Sequence, residues 1–196
     1  MVQREPTLVL KGAAVVGGGP AGLMAAESLL AQGVAVDLFD AMPSVGRKFL
    51  LAGKGGLNLT HAEAFQGFVG RYAERADVMR PMLEVFGPAQ VRAWAQGLGV
   101  ETFVGSSDRV FPKDFKAAPL LRSWLHHLRQ NGLKVHTRHR WLGWSGAGAL
   151  RFDSPSGPVE IRARSTVLAL GGGSWPQLGS DGAWVPELQA KGADVA

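Results

Sequence analysis

Three observations predict an α/β fold for this 196-residue chain: a strand–helix–strand pattern over residues 8–40, a glycine-rich turn joining its first strand to its helix, and a continuous apolar run near residue 170 that ends in glycines. Leu8 to Val16 reads as the first strand. The turn Gly17-Gly18-Gly19-Pro20-Ala21-Gly22 follows, and Ala21 to Gln32 reads as a helix stopped by Gly33. Val34 to Phe39 is a second strand, ending on Asp40. This is a G-x-G-x-x-G loop in strand–turn–helix–strand–acid context, the setting of a dinucleotide-binding, Rossmann-like unit. Gly17 permits the tight turn, Gly19 leaves room for a pyrophosphate against the backbone, and Gly22 lets the helix pack close to the sheet. The helix N-terminus offers N–H groups and the positive end of its dipole to phosphate. Asp40 suits a ribose lacking a 2′-phosphate.

After Asp40, residues 43–60 read as a long, glycine-rich and functional loop, with Arg47, Lys48 and Lys54 suited to a diphosphate or an anionic reduced ring. Residues 62–99 carry three apolar stripes at helical spacing: Phe65, Phe68 and Tyr72; Val78, Met82, Val85 and Phe86; Val91, Trp94 and Leu98. These read as core. Val100 to Val104 reads as a strand, and Lys116 to Gln130 as an amphipathic helix closed by Asn131-Gly132. Short runs at Leu133–Thr137, Trp141–Trp144, Ala149–Phe152 and Val159–Ile161 predict a β-meander over about 133–163. Ser165 to Leu170 is a buried parallel strand by pattern, and the Gly171-Gly172-Gly173 turn at its carboxyl end should lie beside a ligand. Trp184 to Ala190 reads as a short helix and Ala193 to Ala196 as the start of a strand. Residues 1–182 are therefore expected to form the nucleotide-binding domain and 183–196 to open a following region, so that the chain reads as truncated there.

Composition narrows the chemistry. A hydrophobic fraction of 46% and a charged fraction of 19% describe a globular protein with a real core. Zero cysteines exclude a thiol nucleophile, a cysteine-ligated metal site and a flavin-linked disulfide reductase. The five histidines make no H-x-x-x-H pair, and no metal site is expected. No apolar run reaches the ~18 to 20 residues of a membrane span, and Met1 to Pro6 has no signal-peptide character, so a cytoplasmic location is expected. Residues 109–164 hold 11 Lys and Arg against 3 Asp and Glu, whereas the rest holds 10 against 13. No base-stacking or groove-reading motif accompanies that basic stretch, and nucleic acid is not the expected partner. Only one dinucleotide fingerprint is evident, with no second site for NAD(P)H.

Four blocks together resemble a known family: Gly17 to Gly22; Gly46-Arg47-Lys48 with Ala52-Gly53-Lys54-Gly55-Gly56-Leu57-Asn58-Leu59-Thr60; Arg109-Val110-Phe111-Pro112 with Lys116-Ala117; and Leu170 to Pro176 with Gly179-Ser180-Asp181-Gly182. The chain resembles the N-terminal half of bacterial FAD-dependent flavoproteins of the BaiN/RdsA type, a family of NAD(P)/FAD-dependent oxidoreductases. The sequence departs from that pattern at Asp40, where Glu is usual, and at Lys54 and Leu57, where Gly and Cys are frequent. The resemblance implies a Rossmann-like FAD-binding domain with a helical segment and a β-meander. It implies FAD contacts at Gly17, Gly19, Pro20, Ala21, Gly22, Asp40, Arg47, Lys48, Gly53 and Asn58. Trp141 would offer a backbone contact to adenine, and Gly171 and Gly172 would line the cleft. The expected activity is electron transfer through the flavin from a small-molecule substrate, with NAD(P)H as a candidate diffusing donor. Two alternatives stay open: an RNA-associated flavoprotein, and an inactive truncated half of one. His61 is the one tempting acid–base group; no catalytic residue is assigned.

Overall fold

The structure, a computed structural model, describes residues 6–195. Met1 to Glu5 and Ala196 lie outside the described residues, and with them the amino-terminal reading and the last residue of the expected terminal strand. Ala193 to Val195 form no strand. The described residues divide into two compact units: those up to Lys48 together with those from Leu128 onward, and the intervening stretch Phe49–His127.

The first unit contains two sheets. Strands β1 (Thr7–Val9) and β2 (Ala13–Val16) occupy different ones, so the expected single strand over residues 8–16 is broken. The break falls at Leu10 to Gly12, where the chain passes so close to its neighbour that a Cβ on Gly12 would lie 2.0 Å from the Ala35 carbonyl oxygen. Helix α1 (Pro20–Ala31) and strand β3 (Val36–Asp40) complete the βαβ unit. Helix α2 (Arg47–Ala52) begins in this unit, and α6 (Ala117–Gln130) ends in it. Strands β7 (Lys134–Thr137) and β11 (Ser165–Leu168) join β2 and β3 in an all-parallel sheet of order β11-β2-β3-β7. The second sheet, β1-β10-β9-β8, is the meander β8 (Arg140–Trp144), β9 (Leu150–Ser154) and β10 (Gly157–Arg162), with β1 added in parallel. The meander thus starts one strand later than the expected residue 133: Leu133 is followed by a strand that pairs with β3, its backbone exchanging bonds with Asp37 to Asp40.

All four residues of β2 are buried, which is why that strand is a pure apolar run with no alternation. The two sheets share a core of Leu10, Ala14, Val16, Phe39, Phe152 and Ile161, with the Phe39 and Phe152 rings 4.8 Å apart. Each such buried ring contributes about 1.5–3 kcal/mol.

In the second unit, α3 (Phe65–Gly70), α4 (Ala76–Val85) and α5 (Pro88–Gly97) realise the helical pattern, with Pro88 at the first position of α5. Strands β4 (Thr60–His61), β5 (Thr102–Val104) and β6 (Arg109–Pro112) form an antiparallel sheet of order β4-β6-β5. Its core holds Leu57, Ala95, Ala117 and Leu120, and Trp94 meets Trp124 edge-on at 4.8 Å. Two expectations fail here. Residues 43–60 are not a structureless loop, because Arg47 to Ala52, a run of good helix formers, folds as α2. The stripe Val78, Met82, Val85 and Phe86 is exposed rather than core; α4 turns the opposite face inward, burying Leu83 with the half-buried Met79 one turn away.

Candidate functional site

The carboxyl ends of the parallel strands open onto a cleft of about 430 Å³ in the first unit. Its floor is the turn Val16 to Gly19; one wall is Phe39 to Met42, and the other is Ala169 to Gly171. Cleft formation at this edge follows from the strand order, since adjacent connections leave the sheet in different directions there.

The glycines divide the work between fold and cleft. Gly17 has φ +109°, and a Cβ there would lie 2.2 Å from the Ala169 carbonyl oxygen. A Cβ on Gly22 would lie 1.8 Å from the Gly17 oxygen, so this residue sets the closeness of α1 to the sheet. Gly19 differs: nothing lies within 4 Å of its missing Cβ, and its backbone is extended (φ −79°, ψ −177°). It therefore leaves open space on the cleft side of the turn. Gly19 is also the N-cap of α1, Pro20 occupies the first helical position, and no side chain caps the helix. Its first N–H groups have no side-chain acceptor and are available to an anion.

Asp40 stands at the end of β3, and its carboxylate is already engaged. The Gly18 N–H donates to Oδ2 at 2.6 Å and the Met42 N–H to Oδ1 at 2.8 Å. Burial pushes its carboxyl above the ordinary value, opposed by those two N–H groups and by the charge of Arg47. Each carboxylate oxygen keeps a further lone pair for a hydroxyl donor. Lys48 donates from Nζ to Ser180 Oγ at 2.7 Å, and Ser180 Oγ in turn donates to the Gly172 carbonyl at 2.5 Å. Across the mouth, Arg140 pairs with Asp181 at 3.1 Å. The Ala183 N–H, together with Arg140, holds the Asp181 carboxyl below its ordinary value.

Three side chains that line the cleft, Arg47, Trp141 and Trp184, carry a nitrogen that is shielded from solvent and has no hydrogen-bond partner. Buried polar groups are nearly always paired in folded proteins.

Of the residues expected at the site, Gly17, Gly19, Asp40, Arg47, Lys48, Trp141 and Gly171 line the cleft. Pro20, Ala21 and Gly22 belong to the first turn of α1 directly behind it, and Gly172 is tied through its carbonyl to Ser180. Gly53 and Asn58 fall in the second unit. Gly53 has a packing role there, because a Cβ would lie 2.4 Å from Ala117 Cβ; Asn58 is exposed. His61 lies in that unit too, its Nδ1 3.2 Å from Glu63 Oε1, beside a separate cavity of about 450 Å³. Sequence reasoning missed Gly18, Ser180 and Trp184. Gly18 stands at a variable place of the fingerprint, yet a Cβ there would lie 2.4 Å from Val45 Cγ1. Ser180 is 2% exposed, and only its place inside the Gly179 to Gly182 block hinted at a role.

A parallel-sheet fold with a glycine turn, an unoccluded helix N-terminus and an acid at the neighbouring strand end defines a Rossmann-type nucleotide-binding protein. The chain belongs to the family of the HI0933-like protein Rossmann domain, whose model matches residues 11–196. Among solved structures it is similar to the 3-ketosteroid-Δ4-(5α)-dehydrogenase of Rhodococcus jostii RHA1 in complex with 4-androstene-3,17-dione, with 16% identity and a TM-score of 0.69 over 98% of this chain and 56% of that one. It is also similar to THI4 of Thermovibrio ammonificans, with 20% identity and a TM-score of 0.57 over 93% of this chain and 63% of that one. At these identities the likeness is one of fold, and the chain spans less than two thirds of either relative. No curated protein sequence matches it. Among the described residues no helix is long and apolar enough to cross a membrane.

Proposed function

We propose that this chain carries the FAD-binding part of an oxidoreductase of the BaiN/RdsA type. The observation that carries the reading is the cleft itself: open space at Gly19, a bare helix N-terminus beside it, and Asp40 at the next strand end. When bound, FAD supplies the redox chemistry, taking electrons from a small-molecule donor or from NAD(P)H.

The residues of the chain bind and orient. The N–H groups at the start of α1 receive the pyrophosphate, where the helix dipole favours negative charge. Gly19 admits it against the backbone. Asp40 accepts from the ribose hydroxyls with the lone pairs left over from Gly18 and Met42. Its charge would repel a 2′-phosphate, which favours an unphosphorylated adenosine ribose. Arg47 lines the cleft and adds positive charge there for phosphate. Lys48, held by Ser180, places a positive charge beside Gly171 at the end of β11, where it offsets negative charge on the ligand. A cytoplasmic location and a small-molecule substrate belong to the same reading.

The test is the visible spectrum of the purified chain after FAD is added and the excess removed, with ADP and FMN as competitors. Retained flavin that ADP displaces and FMN does not is the expected result. A folded chain that holds neither FAD nor ADP overturns the proposal.

A further inference from the structure

One loop ties the two walls of the cleft together. The chain leaves β11 through Gly171 and reaches α7 (Val185–Gln189), which packs on β8. This connection therefore runs from one edge of the parallel sheet to the strand that follows its other edge. Within it, residues 173–182 close into a compact loop whose ends meet at two glycines: a Cβ on Gly182 would lie 3.7 Å from the Gly173 Cα. Above that neck, Trp175 and Ser180 exchange backbone hydrogen bonds of 3.1 and 3.2 Å around the helical turn Pro176–Leu178. Adjoining ends and internal bonding are the marks of an Ω-type loop. Three contacts seat it on the rest of the site. Gly179 lies against the end of β3, where a Cβ would come within 2.7 Å of Met42 Cγ. Ser180 Oγ accepts from Lys48 Nζ at 2.7 Å, and Asp181 Oδ2 accepts from Arg140 Nη1 at 3.1 Å. Leu178, Gly179, Ser180 and Asp181 line the cleft from the loop side.

Beyond those contacts the loop is lightly held. Ser180 is its one buried residue, whereas all four residues of β2 are buried. Segments with so little buried surface are the ones that open locally. Gly171 and Gly182 stand at the neck with φ of +74° and +70°, and glycine absorbs further backbone change there at low steric cost. The Arg140 and Asp181 side chains are 49% and 32% exposed, so water and salt reach their ion pair and keep it weak. We propose that residues 173–182 form a flap that swings off the cleft at its glycine neck to admit the dinucleotide and closes over it, with Arg140–Asp181 as the latch. The inference rests on the FAD reading of the cleft. It gives Arg140 and Asp181 a part in ligand entry and release rather than in recognition.

The chain has no cysteine of its own, so Arg140→Cys with Asp181→Cys supplies a lone thiol pair that a short bifunctional reagent can join on the full chain. Joined before FAD is added, the chain should take up no flavin in the time that fills the same variant capped with a monofunctional reagent. Joined afterwards, it should keep its flavin against excess ADP. Asp181→Asn keeps an acceptor for the Ala183 N–H and loses the charge. FAD should leave it about two- to fivefold faster than wild type, as loss of an exposed ion pair implies. Arg140→Gln should match it, and the difference from wild type should fade at high salt. The wild-type chain gives a check that needs no variant: amide exchange over residues 173–182 should outpace that of β2 and quicken with salt. A joined chain that exchanges flavin as fast as the capped one overturns the flap and leaves the FAD reading standing. Exchange protection in the loop equal to that of β2 does the same. If the wild-type chain holds neither FAD nor ADP, both readings fall.

Discussion

The contrast between Gly19 and Gly22 is the sharpest test of how this turn divides fold from binding. Gly22→Ala places a methyl 1.8 Å from the Gly17 oxygen and 3.3 Å from Ala169 Cβ. Both neighbours are backbone or immobile, so α1 must retreat by about 1.4 Å to restore contact distance, loosening the packing of Leu23 and Ala26, which are fully buried. Overpacking and lost contact together cost about 3 kcal/mol, a fall in Tm of roughly 6–12 °C for a chain of this size. Gly19→Ala meets no atom within 4 Å and sits at dihedrals that alanine adopts freely. The gain from a less flexible unfolded chain, about 0.4–1 kcal/mol, is offset by alanine being a poorer N-cap. The apo protein should therefore melt within about 2 °C of wild type. The new methyl nevertheless stands where phosphate must approach. Losing two charge-assisted backbone bonds costs about 3 kcal/mol, or roughly 100-fold in FAD affinity. Thermal unfolding of the apo chains and flavin titration of each measure the two effects separately. A Gly19→Ala chain that binds FAD like wild type refutes the phosphate role of the turn. A Gly22→Ala chain with unchanged Tm refutes the packing argument.

Asp40 should leave a signature in the pH dependence of stability. Its folded pKa is raised, chiefly by burial, above the ordinary 3.8. Its contribution is thus fully present below that value and is lost as pH rises through the folded pKa. Urea unfolding should show wild type losing stability relative to Asp40→Asn as pH rises from the ordinary carboxylate value through the higher folded one, and parallel curves would contradict this. Ser180→Ala removes the acceptor of Lys48 and the donor to Gly172. It should cost about 1–3 kcal/mol, and an unchanged denaturation midpoint would show that Lys48 finds water as readily. In the second unit, Gly53→Ala drives a methyl into Ala117 and should cost about 1–3 kcal/mol. Adding Ala117→Gly should restore part of that loss, and a double-mutant cycle with no coupling would sink the contact.

The βαβ unit was legible because its signal is local: turn glycines between an apolar run and a helix, then an acid one strand later. The closing strand was legible as a strand from its apolar run, but the expected burial fails: β11 stands at the sheet edge, with Ser165 and Thr166 exposed and Val167 and Leu168 half-buried. What failed was non-local. Nothing at Leu133 to Thr137 says whether that run pairs with β3 or with the meander, because a short apolar strand looks the same in either sheet; partner choice lies in the register with Asp37 to Asp40. The stripe on α4 had the right period, but the period does not tell which face turns inward once Met79 and Leu83 offer an alternative. Trp184 was invisible for another reason. An indole on a short helical run reads as packing, and only the fold shows that this one lines the cleft.

The acid at the end of β3 illustrates why a fingerprint residue need not wait for its ligand. The Gly18 N–H reaches across from the end of β2 to Asp40, and the Gly18 carbonyl accepts from Gly46, at the head of α2. Asp40 also accepts from Met42, and its own carbonyl accepts from His139 on the way to β8. One turn and one carboxylate thus bind together the ends of β2 and β3, the start of α2 and the approach to β8. That network holds the open face of Gly19 and the first turn of α1 in place before anything binds, so ordering this part of the site should consume little of the binding free energy. It also explains why the cost of burying the Asp40 charge is tolerated. The carboxylate organises the backbone around the cleft, and its remaining lone pairs serve the ligand, so replacing it by an apolar residue would forfeit both roles at once.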